Sequence, residues 1–351
     1  MKKAYFSKKL VEWYDEHHRD LPWRNTQDAY KIWLSEIILQ QTRVAQGLPY
    51  YKKFIQHYPN INSLAGANEQ DVLRLWQGLG YYTRARNLCK CAREVVKNYS
   101  GKFPSTFREL KRLPGIGDYT AAAIASFAYG EQVAVVDGNV YRVLSRIFGV
   151  DKNIASADGK KFFFALANEL IPADQPGTYN QAVMEFGACH CLPQNPKCEE
   201  CAFKKNCVAF QEEKVHQLPV KIKQQKIKNR HFHYFLVRIG QKILMTKRTG
   251  KDIWKGLFDF PHLETKHNAA DRKRAGKIFP LKLHRHISKD YKHILTHQRI
   301  HARFIEIDWP VDKSLPLSPL LTNAKVYSHK QIEKLPKPVL IARYLEDRSI
   351  L

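Results

Sequence analysis

The stretch LPGIGDYTAAAIASFAYGEQVAVVDGN, residues 113–139, decides the fold of this chain. It opens with a tight turn that contains Gly115 and Gly117, and an alanine-rich run to Tyr129 follows. Glycine lets a ligand approach the main chain closely, and the amides that begin the next helix carry partial positive charge. We therefore expect two helices joined by a phosphate-binding turn. On this stretch alone, a turn that merely packs is an equally good interpretation.

Length and composition point to a two-domain protein with a polyanionic partner. The 351 residues are 44% hydrophobic, and 58 Lys+Arg against 33 Asp+Glu give a net charge of +25. That charge favours nucleic acid as the partner, although colloidal repulsion alone could also account for it. No apolar run reaches the length of a membrane span and the N-terminus lacks an apolar signal region, so we expect a cytoplasmic protein without a membrane partner.

The predicted elements change from helices to strands along the chain. Residues 1–210 form almost only helices, one of them a buried helix over Asp28–Val44, and Val133–Val136 is strand-like. The polar and basic residues 211–230 are typical of a linker, and residues 231–351 form an α+β domain. In that domain the patterns predict strands over His231–Ile239, Lys242–Lys247 and Ile300–Ile307, and a closing helix over Gln331–Leu345.

Four cysteines have the spacing of metal ligands, Cys191-x6-Cys198-x2-Cys201-x5-Cys207. Thiolates this close in sequence hold zinc or an iron–sulfur cluster. Zinc ribbons usually pair two Cys-x2-Cys motifs, and only one such pair is present here, so the spacing by itself leaves both ligands open. The remaining cysteines fall outside the pattern and are expected to be small buried hydrophobic residues: Cys89, Cys91 and Cys189.

The x6-x2-x5 spacing resembles the 4Fe–4S loop of the endonuclease III superfamily of DNA glycosylases, and within it the chain is similar to the MutY family of adenine DNA glycosylases. This resemblance implies a mostly α helix-hairpin-helix glycosylase domain with an iron–sulfur loop, followed by an α+β Nudix (MutT-like) domain. It also implies a structural 4Fe–4S cluster on the four cysteines. The matching segments are LPWR at 21–24, WLSEIILQQTRV at 33–44, GLGYYTRARN at 78–87, LPGIGDYT at 113–120 and VDGNVYRVLSR at 136–146.

The resemblance also implies the catalytic residues. Glycosylases that cut the backbone carry a lysine nucleophile in the hairpin, and Tyr119 stands at that place, which indicates a monofunctional enzyme. Glu36, in an apolar run, is expected to have a raised pKa and to protonate adenine, unless it faces solvent from the helix edge. Asp137 is expected to stabilise the oxocarbenium-like transition state or to trap it covalently, with Tyr119 and Asn139 in support, and it is also well suited to cap a helix.

A base inside a duplex must be flipped out before an enzyme can reach it. By resemblance, Gln41, Leu39 and Tyr81 fill the gap, although core packing explains Leu39 equally well. Arg24 and Gln181 match positions that line the adenine pocket. Gly115 and Gly117 belong to the DNA-binding hairpin. There the carbonyls of Lys111, Leu113 and Ile116 are candidates for a monovalent cation, as in related folds.

The segment GLFDFP at 256–261 resembles the MutT-like domain with which MutY senses 8-oxoguanine. The magnesium-binding Glu-rich Nudix box is not visible in the sequence, so we expect no pyrophosphatase activity. Leu295-Thr296-His297 is the nearest match to the family's lesion-reading Phe-Ser-His turn. Thr296 keeps the hydroxyl and His297 is retained, but leucine replaces the phenylalanine. The resemblance therefore gives weaker support for a side chain that stacks on or wedges beside a base.

The expected function is a monofunctional adenine DNA glycosylase that acts on double-stranded DNA with adenine opposite 8-oxoguanine or guanine. By resemblance the protein is a bacterial-type, nucleoid-associated monomer. One alternative is an endonuclease III-like glycosylase and AP lyase for damaged pyrimidines, which Tyr119 and the C-terminal domain disfavour. Another is a non-catalytic DNA-binding or redox-sensing iron–sulfur protein, which would need neither Glu36 nor Asp137.

Overall fold

A computed structural model describes residues 3–222, 227–265, 278–280 and 283–351. The chain divides into two compact units: unit 1 is Met1–Ala67 with Asn87–Lys223, and unit 2 is Asn68–Arg86 with Gln224–Leu351. The division near residue 223 falls inside the predicted linker. Residues 68–86, predicted as part of the helical domain, group with unit 2, and the domain boundaries inferred from the sequence stay a prediction.

The described part of residues 3–211 is helical, as the sequence predicts. Among the residues that the structure describes, none of the helices has both the length and the apolar character needed to cross a membrane. The helices are α1 (Lys3–His17), α2 (Ala29–Leu39), α3 (Val44–His57), α4 (Ile61–Ala65), α5 (Glu69–Leu75), α6 (Thr83–Tyr99), α7 (Phe107–Leu110), α8 (Asp118–Tyr129), α9 (Gly138–Phe148), α10 (Ala157–Leu170), α11 (Pro176–Cys189) and α12 (Val208–Gln211), with a 3-10 turn at Lys204–Asn206.

The alanine-rich helix α8 lies in the middle of unit 1. Its residues Thr120 to Ser126 are buried, and it packs against α2, α7 and α11. Small side chains allow these neighbours to approach closely without leaving voids. The helix ends at Gly130, whose left-handed backbone (φ 69°) closes the last turn. This arrangement fixes Tyr119, at the start of α8, beside α2.

Apolar side chains from α1, α9, α10 and α11 form a continuous core in unit 1. Aromatic rings meet at its centre, where Phe6 lies 5.2 Å from Phe203 and Phe186 lies 5.5 Å from Phe203, centroid to centroid. Because Phe203 lies between Cys201 and Cys207, this core anchors the cysteine loop directly. Cys89 and Cys91 are fully buried, as predicted, whereas Cys189, for which burial was also predicted, is only partly buried.

Unit 2 is built on a twisted mixed sheet in which β1 and β7 pair in parallel, from Lys228 opposite Gln298 to Ile239 opposite Trp309. The strand order is β3-β2-β1-β7-β5, while β4 pairs with β1, β6 with β7 and β8 with β2. Two helices, α13 (His329–Lys334) and α14 (Val339–Asp347), follow. The strands are β1 (Lys228–Ile239), β2 (Lys242–Lys247), β3 (Phe258–Asp259), β4 (His262–Thr265), β5 (His284–Ile287), β6 (Tyr291–Ile294), β7 (Gln298–Trp309) and β8 (Ala324–Ser328).

The strand-like expectation for Val133–Val136 is wrong, because this segment pairs with side chains instead of a neighbouring strand. The Ala134 amide donates to Asn168 Oδ1 at 2.9 Å and the Val135 amide donates to Asn180 Oδ1 at 3.0 Å. Asn180 Nδ2 donates in return to the Val133 carbonyl at 2.9 Å. Asparagines on α10 and α11 therefore bond the backbone groups of this segment that a neighbouring strand would otherwise pair with.

Two predicted helices are shorter than expected. The helix predicted over Asp28–Val44 ends at Leu39, and α3 begins at Val44 after a turn that contains Gln41. The closing helix predicted over Gln331–Leu345 is two helices, because Pro336 and Pro338 interrupt it. Proline lacks the amide hydrogen that a helix interior requires, so the chain breaks there.

Candidate active site

Glu36 lies on the buried face of α2 and is 7% exposed, so the solvent-facing interpretation of this residue is wrong. It lines a cavity of about 190 Å³ in unit 1 together with Tyr119, Asp137 and Asn139. We call this space the carboxylate cavity. Residues far apart in sequence meet there because α8 packs on α2 and the turn after residue 136 leads into α9.

The environment of Glu36 favours its neutral form. Burial raises the pKa of the Glu36 carboxyl to about 7, while a hydrogen bond from the Tyr119 hydroxyl opposes part of that rise. The negative charge of Asp137 adds to the increase. On the order of half of the Glu36 side chains are therefore protonated at neutral pH. The site contains a carboxylic acid that can donate a proton under physiological conditions.

Asp137 both caps a helix and faces the carboxylate cavity. Its Oδ1 accepts from the backbone amides of Asn139 and Val140, each at 2.8 Å, and these bonds begin α9. Its Oδ2 accepts from Asn139 Nδ2 at 2.8 Å. Burial raises the pKa of Asp137, and the three hydrogen bonds oppose that rise. The two roles considered for this residue are thus compatible.

A buried arginine connects Asn139 to the backbone of the cysteine loop. Arg142 Nη2 donates to Asn139 Oδ1 at 2.8 Å, and its Nε donates to the Cys191 carbonyl at 2.7 Å. Gly187 allows α11 to pass close to this point, since a Cβ there would lie 2.6 Å from the Asn139 Cβ. The amide that orients Asp137 is therefore itself held in place. Arg142 lies one helical turn after Asn139, and nothing in the local sequence pattern predicted this contact.

Two more predicted residues, Arg24 and Gln181, line the same cavity, as does Leu39. Arg24 Nη2 donates to Glu185 Oε2 at 2.6 Å, and the Tyr14 hydroxyl donates to Gln181 Oε1 at 2.7 Å. Sequence reasoning missed Glu185 and Tyr14. One sequence signal could have found Glu185. It is an acid on the mostly apolar helix α11, four residues after Gln181, and residues four apart lie on the same helix face.

The hairpin before α8 presents exposed backbone, as expected for a phosphate-binding turn. Gly115 adopts a left-handed backbone (φ 79°), and a Cβ there would lie 2.6 Å from the Asn87 Cβ. Gly117 is the N-cap of α8, whose first amides lack helical partners. The carbonyls of Lys111, Leu113 and Ile116 belong to this hairpin, and a cation there stays a prediction.

Gln41 and Tyr81, both predicted to enter DNA, share an uncommon backbone geometry. Their φ angles are 56° and 49°, in the left-handed region that non-glycine residues rarely adopt, and both side chains are exposed. Such strain persists only where the surrounding structure holds it, and it concentrates at functional sites. Within unit 2, the Tyr81 hydroxyl hydrogen-bonds Thr296 Oγ1. His297 is exposed beside Thr296 in the β6–β7 turn.

The four cysteines of the predicted ligand set line one small cavity of about 20 Å³. Arg146 lies against them, with Nη1 3.5 Å from Cys191 Sγ and 2.6 Å from the Leu192 carbonyl. Within the described residues, no three His, Cys, Asp or Glu side chains are grouped so that they could hold one metal ion. Four thiols around a shared space are nevertheless a donor set that suits an iron–sulfur cluster, in which different cysteines bind different irons.

Comparison with known proteins gives the family context of this geometry. Residues 34–170 match the model of the HhH-GPD superfamily base excision DNA repair protein, and residues 233–347 match the NUDIX domain. The adenine DNA glycosylase of Buchnera aphidicola subsp. Schizaphis graminum (strain Sg) is 36% identical over 84% of this chain and 85% of its own length. The adenine DNA glycosylase of Homo sapiens is 43% identical over 61% of this chain and 41% of its own length.

Among solved structures, that of a thermostable thymine-DNA glycosylase resembles this chain with a TM-score of 0.56 and 31% identity. The match covers 60% of this chain and 97% of that one.

Proposed function

Because the chain belongs to the adenine DNA glycosylases, with an HhH-GPD domain followed by a NUDIX domain, we propose that it removes adenine from DNA opposite 8-oxoguanine or guanine. The observation that carries this proposal is the carboxylate cavity, where Glu36, with a pKa of about 7, and Asp137, the N-cap of α9, face one space. The adenine DNA glycosylase relatives favour this function over the endonuclease III-like alternative.

In the proposed reaction, the neutral Glu36 carboxyl donates its proton to a ring nitrogen of the flipped adenine. The bond between the sugar and the base then breaks, and its electron pair leaves with adenine. The sugar gains oxocarbenium character, which the Asp137 carboxylate stabilises. Water adds to the sugar carbon and gives up a proton, so the products are free adenine and an abasic site. Asn139 holds Asp137 in place throughout, at 2.8 Å.

Tyr119 supports a glycosylase without lyase activity. Its hydroxyl bonds the Glu36 carboxyl, and burial raises the pKa of Tyr119 well above its ordinary value. A neutral phenol can hold Glu36 in position but cannot form an imine with the sugar. The sugar–phosphate backbone therefore stays intact after adenine leaves.

Unit 2 is proposed to read the base opposite adenine. The contact between Tyr81 and Thr296 supports this role, because it joins a residue predicted to enter DNA to the turn predicted to sense the lesion. The exposed His297 and Thr296 supply hydrogen-bonding groups at the tip of the β6–β7 turn. Leu295, at the position of the family's phenylalanine, is partly buried.

The four cysteines are proposed to hold a structural 4Fe–4S cluster, which when bound would cross-link the loop that follows α11. The exposed Lys197 within this loop would meet a DNA phosphate, and Arg146 would neutralise part of the cluster's negative charge. Double-stranded DNA with an A:8-oxoguanine or A:G mispair is the proposed partner, bound by a monomer.

A duplex that contains a single A:8-oxoguanine pair tests the proposed function. We expect strand breaks at the adenine only when alkali follows incubation, because a monofunctional enzyme leaves an alkali-labile abasic site. The matched control is the same duplex incubated with Glu36→Gln. Strand breaks without alkali would indicate a lyase, and no base release in either treatment would overturn the proposal.

A further inference from the structure

A cavity of about 300 Å³ lies in unit 2, where the β1–β2 turn and the residues after α14 line one space. Its lining includes Arg238, Lys242 and Arg348, and none of the described residues that line it is acidic. We propose that this space, the arginine cavity, binds a phosphate group carried by a nucleotide, either free or within a DNA strand. The inference goes beyond the excision of adenine and does not depend on it.

A single buried carboxylate holds both arginines of the arginine cavity. Glu306 is buried on β7, its Oε1 accepts from Arg348 Nε at 2.7 Å, and its Oε2 accepts from Arg238 Nη2 at 2.9 Å. The Tyr344 hydroxyl also donates to Oε1, at 2.8 Å. Burial opposes ionisation of Glu306, yet the hydrogen bonds from Arg348 and Tyr344 and the charges of both arginines hold its pKa below its usual value. The two guanidinium groups are therefore held in place before a ligand binds.

The arginine cavity has more positive charge than its buried carboxylate can balance. Glu306 offsets one of the two arginines, and Lys242, exposed at the start of β2, adds another cation. Asp308, opposite Arg238 in the pairing of β1 with β7, is bonded to Arg285. The Arg238 Nε is buried, and within the described part of the chain nothing accepts a hydrogen bond from it. Unbalanced like charges and an unsatisfied buried donor both destabilise a protein, and an anion that binds here offsets the excess charge.

The donors of the arginine cavity suit the oxygens of a phosphate. A guanidinium group presents several N–H donors in one plane, and its charge-assisted hydrogen bonds to phosphate are stronger than bonds between neutral groups. The Arg348 side chain is exposed, so a ligand can reach it. The cavity is larger than the carboxylate cavity, and its size suits a phosphate together with the sugar that carries it. These features favour a nucleotide phosphate over a small ion such as chloride.

The amide resonances of Gly240 and Gln241 report directly on the arginine cavity, because both residues line it. When the full-length protein is titrated with thymidine 5′-monophosphate, we expect saturable shifts of both resonances in amide NMR spectra. Thymidine, which lacks the phosphate, should cause none. A pyrimidine nucleotide is used because it does not offer the base that the proposed active site takes. Absence of saturable shifts with the monophosphate would overturn the inference.

Lys242→Gln removes one charge from the arginine cavity with little effect on folding, since Lys242 is exposed. The Kd for thymidine 5′-monophosphate should rise at least about fivefold, because a charge-assisted contact is lost. Lys330→Gln is the matched control, since Lys330 is also exposed and follows His329 but does not line the cavity. Its Kd should stay within about twofold of the wild-type value. An unchanged Kd in Lys242→Gln, or an equal rise in the control, would contradict the proposed site.

Duplex binding by the same variants identifies the source of the phosphate. If a DNA strand supplies it, Lys242→Gln should weaken the binding of an undamaged duplex and lower the slope of log affinity against log salt by about one. If a free nucleotide supplies it, duplex affinity should stay unchanged while the Kd for the monophosphate rises. Both results support the arginine cavity as a phosphate site.

Discussion

At the scale of single residues, the site depends on how burial acts on two carboxyl groups. Glu36 has one hydrogen-bonding side chain beside it, Tyr119, and its pKa rises to about 7. Asp137 is half-buried, and desolvation raises its pKa as well, but the three hydrogen bonds that it accepts oppose that rise. We propose that this difference in hydrogen bonding assigns the role of acid to Glu36 and that of stabilising carboxylate to Asp137.

The pH dependence of excision tests the role of Glu36. Because the neutral acid is the reactive form and its pKa is about 7, the single-turnover rate should be highest below pH 7. It should fall as pH rises, approaching about tenfold per unit well above pH 7. Glu36→Gln should lower the rate at least a hundredfold, roughly the contribution of a general acid, while duplex binding persists.

Glu12→Gln is the matched control for this change, since Glu12 is an exposed acid on α1. A wild-type rate that stays constant between pH 6 and pH 9 would contradict the assignment of Glu36 as the acid.

The sequence alone predicts features that depend on neighbouring residues of the same helix or turn. The apolar run of α2 favoured burial of Glu36 over a solvent-facing position, and Asp-Gly-Asn at 137–139 predicted a helix cap. The sequence was not sufficient for Tyr14, which contacts Gln181 across 167 positions of the chain. Pairs of polar side chains on different helices depend on how those helices pack, and no local pattern encodes that packing.

At the scale of elements, one residue at the start of α9 serves both the proposed reaction and the stability of the helix. Its N-cap is Asp137, and its next turn carries Arg142, which reaches the Cys191 carbonyl. A change at the cap can therefore act on catalysis, on the helix or on both. For Val133–Val136 the apolar pattern predicted a strand, but two asparagine side chains on other helices take the place of a partner strand.

Asp137→Asn separates the two roles of the cap. Asparagine caps helices as well as aspartate does, so the free energy of unfolding should change by no more than a few tenths of a kcal/mol. Adenine release should nevertheless fall by about a hundredfold or more, because the charge that stabilises the sugar is lost. Thermal unfolding and single-turnover excision measure the two effects.

The control for this variant is Asp28→Asn, which alters the aspartate that caps α2, where Asp28 Oδ1 accepts from the Tyr30 amide at 2.9 Å. It should leave both quantities unchanged. If Asp137→Asn kept wild-type excision, Asp137 would be a cap alone.

At the scale of the whole molecule, one chain combines a helical unit that carries the carboxylates with a sheet unit that carries the Thr296–His297 turn. The change of composition after residue 210 was enough to predict two parts. It could not predict that residues 68–86 group with unit 2, because that depends on tertiary contacts. The Tyr81–Thr296 contact follows from this grouping and joins residues that the sequence separates widely.

The most direct test of this account is the rate of adenine release from duplexes that differ only in the base opposite adenine. We predict rapid release opposite 8-oxoguanine, slower release opposite guanine and none opposite thymine under single-turnover conditions. Replacing both Thr296 and His297 by alanine should remove the preference for 8-oxoguanine while release opposite guanine persists. Release opposite thymine as fast as opposite 8-oxoguanine, or no release from any duplex, would contradict the account.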